Sequence, residues 1–155
     1  MPVIESLPDV NKRLFEAKKQ SGKTFADLAE AVGRDEVWVA ALFYGQVKPT
    51  PEEVEKLSKA LSLEKSLLSS HFDPNWYPDR GQLGPMPPQD PTLYRLYEIV
   101  GVYGYAIKSC IHEKFGDGIM SAINFSAKVE KIQKKGADTV RITYEGKWLP
   151  YDFHT

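Results

Sequence analysis

Arg95 and Glu98 stand three residues apart in Leu93-Tyr94-Arg95-Leu96-Tyr97-Glu98-Ile99-Val100, a stretch that is otherwise apolar and aromatic. Helical side chains at that spacing share one face, so a guanidinium and a carboxylate would emerge together. Charges are seldom buried unless paired or functional, and the neighbours here leave the pair little other polar company. A guanidinium offers a planar, bidentate grip on a carboxylate-like anion. Glu98 could hold that guanidinium in place or accept a hydrogen bond from an anion's protonated oxygen. The same two residues could equally form a surface ion pair, which contributes little to stability. On spacing alone both readings stand.

Further along, Gly116-Asp117-Gly118 punctuates the chain and delivers Ser121 in the small-residue run Met120-Ser121-Ala122. A serine nucleophile needs a histidine, and His112 is the sole candidate nearby, while the G-x-S-x-G elbow is missing. His112 reads more simply as a residue at a helix C-terminus that suits the dipole. His71, His112 and His154 show no metal-ligand spacing, and no metal is expected. Cys110, between Ile107 and Ile111, reads as a small buried hydrophobe. Asp117, flanked by glycines, shapes a turn. Tyr94, Tyr97, Tyr103 and Tyr105 fall at helical spacing, which suits core or subunit contact better than a stacking platform for bases. Asn124 enters only as a sequence neighbour of Ser121.

The elements Tyr94-Arg95-Leu96-Tyr97-Glu98, Val102-Tyr103-Gly104, His112 to Ile123, and Gly146-Lys147-Trp148-Leu149-Pro150 occur in one order and spacing. Over about 60 residues this resembles the C-terminal domain of the cyanase (cyanate hydratase, or cyanate lyase) family. Leu96 departs from the pattern, standing where a bulkier aromatic is expected, which bears on packing and not on the charged pair. The resemblance implies a lyase that decomposes cyanate with bicarbonate to ammonia and carbon dioxide through carbamate. It implies Arg95, Glu98 and Ser121 as the catalytic residues, no cofactor beyond bicarbonate as co-substrate, and a homodecamer built as a pentamer of dimers. Ser121 would then be a donor to bound anions, with bicarbonate itself attacking the cyanate carbon. Catalysis would come from proximity and preorganised charge, with no covalent group supplied by the protein.

The elements that must carry these residues form an α+β chain. Residues 1–72 read as an N-terminal all-helical, repressor-like bundle containing a helix-turn-helix pattern. Asp9 is the expected cap of a helix to Gln20, Thr24 caps a second that Gly33 ends, and Arg34 or Asp35 begins a third. Thr50 caps a fourth with Pro51 at its first position, and a last short helix covers Leu63 to Ser69. Residues 73–89 read as a linker: five prolines between His71 and Asp90 cannot sustain helix or sheet. Residues 90–155 read as the catalytic and oligomerisation domain. Asp90 and Pro91 start a helix that runs to about Lys114, followed by strands over 122–132 and 139–148 with a turn over 134–138. One helix and one hairpin bury too little apolar surface to stand alone, and the strands leave open edges. This domain is therefore expected to interlock between subunits.

Composition bounds the alternatives. With 42% apolar and 26% charged residues the 155-residue chain is of globular composition. A single cysteine permits no intramolecular disulfide. The N-terminus has no apolar signal core and no run approaches a membrane span, so the cytosol is the expected compartment and no membrane partner is expected. The rival reading is a helix-turn-helix DNA-binding regulator. Its presumptive reading helix begins Arg34-Asp35-Glu36, and residues 1–72 carry ten Lys/Arg against eleven Asp/Glu. That surface offers no basic footprint for phosphates, and no nucleic-acid partner is expected.

Overall fold

The computed structural model describes residues 2–81 and 83–151. Among them the chain forms helices α1 (Pro2–Glu5), α2 (Asp9–Ser21), α3 (Phe25–Val32), α4 (Glu36–Phe43), α5 (Pro51–Leu61), α6 (Lys65–His71) and α7 (Pro91–Phe115), then strands β1 (Gly118–Lys134) and β2 (Ala137–Pro150). By spatial contact it divides into two units, one of Met1–Gly81 with Ser126–Tyr144, the other of Gln82–Phe125 with Glu145–Thr155.

Local chemistry sets the helix starts of the bundle. Thr24 and Thr50 each close a capping box, accepting from the backbone amides of Asp27 and Glu53 while those carboxylates accept from the cap's own amide. The expected cap at Asp9 is not made. The cap position is Pro8, no side chain closes it, and Asp9 is already the first helical residue, where its charge still suits the dipole. The last helix is displaced two residues downstream of its expected start, to Lys65–His71, and the short α1 has no counterpart in the sequence reading.

Leu14, Leu28, Leu42, Leu57 and Leu68, with Val39 and Phe43, close the bundle's core. Each fully buried side chain of this size contributes about 1.5–3 kcal/mol, so this core is self-sufficient. Of the polar residues buried in the bundle, Asn11 lies deepest and donates from Nδ2 to the carbonyls of Phe43 at 2.9 Å and Leu42 at 3.4 Å, satisfying the end of α4.

Between α6 and α7 the described residues form no helix or strand, as the prolines predict. The first half is nevertheless fastened to the bundle. Lys48 donates to the Pro74 carbonyl at 2.7 Å and lies 4.1 Å over the Tyr77 ring. Gln46 accepts from the Gly81 amide at 2.8 Å and donates to the Asp79 carbonyl at 3.4 Å.

In α7, Asp90 caps the amides of Thr92 and Leu93 at 2.8 and 3.0 Å, and Pro91 occupies the first turn. None of its 25 residues is buried in the single chain. Cys110, expected to be buried, is exposed for this reason. The hairpin is longer than expected at both ends. Its ladder continues to a two-residue turn, where Lys135 (φ 52°) and Gly136 (φ 77°) both take the left-handed region that such turns require. At the other end the strands approach closely over Gly118 and Gly146.

Candidate active site

All three predicted site residues lie in the unit that holds α7 and the base of the hairpin. Arg95 and Glu98 do meet: Arg95 Nη1 donates to Glu98 Oε2 at 2.9 Å, one turn inside the capped start of α7. The Arg95 guanidinium also lies 5.7 Å from the Tyr94 ring, within the range of a cation–π contact. In the single chain both charged side chains are open, at 68% and 51% exposure. An ion pair that exposed contributes about 0–1 kcal/mol, too little for stability to explain it.

Ser121 stands one residue before the expected strand start at 122, and the structure takes it into β1, because Gly116 and Asp117 complete the turn and the strand begins at Gly118. It is one of the few polar residues buried here, at 7% exposure. Its Oγ accepts from the backbone amides of Ile123 at 3.1 Å and Asn124 at 2.9 Å. Successive amides of a flat strand point to opposite edges, so two that converge on one oxygen mark a local bend. A hydroxyl has two acceptor lone pairs and one donor proton. With both lone pairs engaged, what Ser121 has left to offer a ligand is its proton.

Ser121 makes no hydrogen bond with Arg95 or Glu98 within this chain, so a single chain brings together the charged pair but not the three residues. His112 lines a groove of about 340 Å³ with Lys108, Met120 and Trp148, among other residues of α7 and the hairpin base. That places it beside the neighbour of Ser121, which its position at a helix end did not suggest. Asn124 serves through its backbone amide, a role open to any residue but proline and so invisible in the side chain. Asp117 accepts from the Tyr151 amide at 3.2 Å through its carbonyl, closing the base of the hairpin. Among the described residues no three His, Cys, Asp or Glu side chains gather as a metal site; His154 lies outside the described residues. No described helix is long and apolar enough to cross a membrane.

A small capped helical bundle, a proline-rich connection, one long helix bearing an exposed ion pair near its start and a closing hairpin make up the chain. The crystal structure of cyanase from T. urticae matches with a TM-score of 0.78 at 29% sequence identity, over 92% of this chain and 98% of that one. The sequence relatives agree over nearly their whole length. Cyanate hydratase from Mycosarcoma maydis is 53% identical over 150 residues, 96% of this chain and 92% of the relative. Cyanate hydratase from Laccaria bicolor is 51% identical over 145 residues, 94% and 87% of the two chains. The profile of the cyanate lyase C-terminal domain matches residues 85–153. The chain belongs to the cyanate lyase family. The matches run through the helical bundle as well, and nothing in them supports a DNA-binding regulator.

Proposed function

We propose that this member of the family decomposes cyanate in a bicarbonate-dependent reaction, with Arg95, Glu98 and Ser121 as its catalytic residues. The observation that carries the proposal is the hydrogen-bonding state of Ser121. A nucleophile must present a lone pair, and both of its lone pairs are engaged by amides. A donor to an anion must present a proton, which is what remains. Arg95 adds the fixed positive charge that two monoanions need to approach one another, and Glu98 holds it through the 2.9 Å bond.

The reaction then runs as bicarbonate oxygen adding to the cyanate carbon. A proton reaches the cyanate nitrogen, carbon dioxide leaves and carbamate remains. Carbamate takes a further proton and breaks to ammonia and a second carbon dioxide. Cyanate, bicarbonate and two protons are consumed for one ammonia and two carbon dioxides, so charge and atoms balance without a redox partner or cofactor.

The assembly proposed for this activity is a homodecamer in which the C-terminal helix and hairpin interlock between chains. Two features support it. Ile99, Val100, Val102, Tyr103 and Tyr105 of α7 are exposed in the single chain, an apolar surface larger than solitary proteins leave uncovered. Ser121 and the charged pair also do not complete one site within a chain. The protein is assigned to the cytosol, a reducing setting in which its single cysteine stays a thiol. Ammonia release from cyanate, measured with and without bicarbonate, tests the function. Release no faster than the spontaneous rate would overturn it.

A further inference from the structure

We propose that Gly146 is a positioning residue for Ser121: by lacking a side chain it lets β2 lie against the Ser121 carbonyl and holds the bend that presents the hydroxyl. The inference rests on Ser121 binding the reacting anions, as proposed above. Gly146 is not one of the glycines with positive φ, so conformational freedom gives no reason for it. Space does. A Cβ built at Gly146 would stand 2.4 Å from the Ser121 carbonyl oxygen, 2.4 Å from Met120 Cγ and 3.2 Å from Met120 Sδ.

These obstacles differ in kind. The methionine is a flexible chain that can turn aside. The carbonyl is backbone in the middle of a paired strand, and it belongs to the residue whose hydroxyl collects the Ile123 and Asn124 amides. Ordinary contact begins near 3.4 Å, so a methyl group at 146 would push that peptide aside by about 1 Å. Hydrogen bonds of 2.9 and 3.1 Å do not survive a shift of that size in good geometry. Gly118 makes a close approach of the same severity, but against Leu149, Trp148 and Pro150. Gly146 alone is pressed against the serine.

The test is a double-mutant cycle on the full-length protein, read by ammonia release and by inhibition with oxalate, a small dianion whose two carboxylates mimic cyanate and bicarbonate held side by side, with assembly followed by light scattering. Gly146→Ala should lower turnover at least ~10-fold, up to the ~100-fold that a 1 Å misplacement can cause, and weaken oxalate binding by a similar factor. In a Ser121→Ala background the same change should cost less than about threefold more, because the group it positions is already gone. Adding Met120→Ala to Gly146→Ala relieves the side-chain clash alone and should not restore activity. Full multiplication of the two losses would overturn the inference, as would restoration by Met120→Ala. So would a Gly146→Ala chain that no longer assembles, with or without Met120→Ala, since that assigns the glycine to the sheet. Unchanged activity of Ser121→Ala would instead overturn the role of the serine itself, whatever Gly146→Ala did.

Discussion

Arg95→Lys keeps the charge and removes the fork. Arg95 uses one N–H in its 2.9 Å bond to Glu98, which leaves the rest of a rigid five-donor array for an anion. Lysine replaces it with an ammonium of three rotatable donors, unable to grip one planar anion at two points while also bonding Glu98. Losing one charge-assisted hydrogen bond in the transition state costs about 1.5–3 kcal/mol, or ~10- to 150-fold in kcat/KM. Stability should hardly respond. The pair is more than half exposed on both sides, so its loss is within about 1 kcal/mol, and for a chain of this size Tm should move by no more than about 4 °C. Ammonia release and a thermal melt on the same preparation read both quantities. The reasoning fails if kcat/KM stays within threefold, or if activity falls only in step with a large drop in Tm. Either result would return Arg95 and Glu98 to the status of a structural ion pair.

Three further outcomes are expected. Ser121→Ala, which removes a proton donor, should lower turnover and weaken oxalate inhibition in parallel; a covalent adduct trapped on Ser121 in the parent enzyme would contradict the donor role. Light scattering should show a large homo-oligomer, a decamer being expected, and an active monomer would contradict the argument from the exposed face of α7. Burial holds the His71 imidazole below its ordinary pKa, against an opposing pull from Asp73, and its Nε2 has no hydrogen-bond partner among the described residues. The unfolded chain therefore binds the proton more readily than the folded one. Stability from this source is fully present above about pH 6.5 and is lost as pH falls through the folded value. Urea midpoints between pH 7.5 and 5 should fall less for His71→Gln than for the parent, and equal slopes would show that His71 is not the titrating group.

What could be foreseen from the residues was local. Thr24 with Asp27 and Thr50 with Glu53 declare their capping boxes because both partners lie within one turn. Arg95 finds Glu98 for the same reason. Asp90 and Pro91 mark the start of α7 by short-range chemistry alone. The misses are of two kinds. Some were local alternatives of nearly equal energy: Pro8 displaced Asp9 as the cap, and Lys135 accepted a positive φ that shortened the hairpin turn. Others depend on residues far apart in sequence. Gln46 and Lys48 reach about thirty residues ahead to fasten Pro74 to Gly81, and nothing in either segment announces the other. Gly146 is similar, since its importance lies in a carbonyl 25 residues away. Ser121 stands out by resemblance, just ahead of the expected strand; that its oxygen is committed to two amides depends on a local bend no residue type announces.

The contrast between a bundle with its own core and a helix α7 with no buried residue gives the chain two stabilities of different kinds. That of the bundle is a property of one molecule and indifferent to dilution. Under the proposed self-association, that of α7 belongs to the population and obeys mass action: each tenfold dilution weakens a pairwise contact by about 1.4 kcal/mol. Dilution would then silence the enzyme while leaving its first 70 residues folded. A cell making only a little of this protein would hold intact bundles and little active catalyst, so activity would rise more steeply than expression. The amount of protein becomes a control on the activity of each molecule, without any effector.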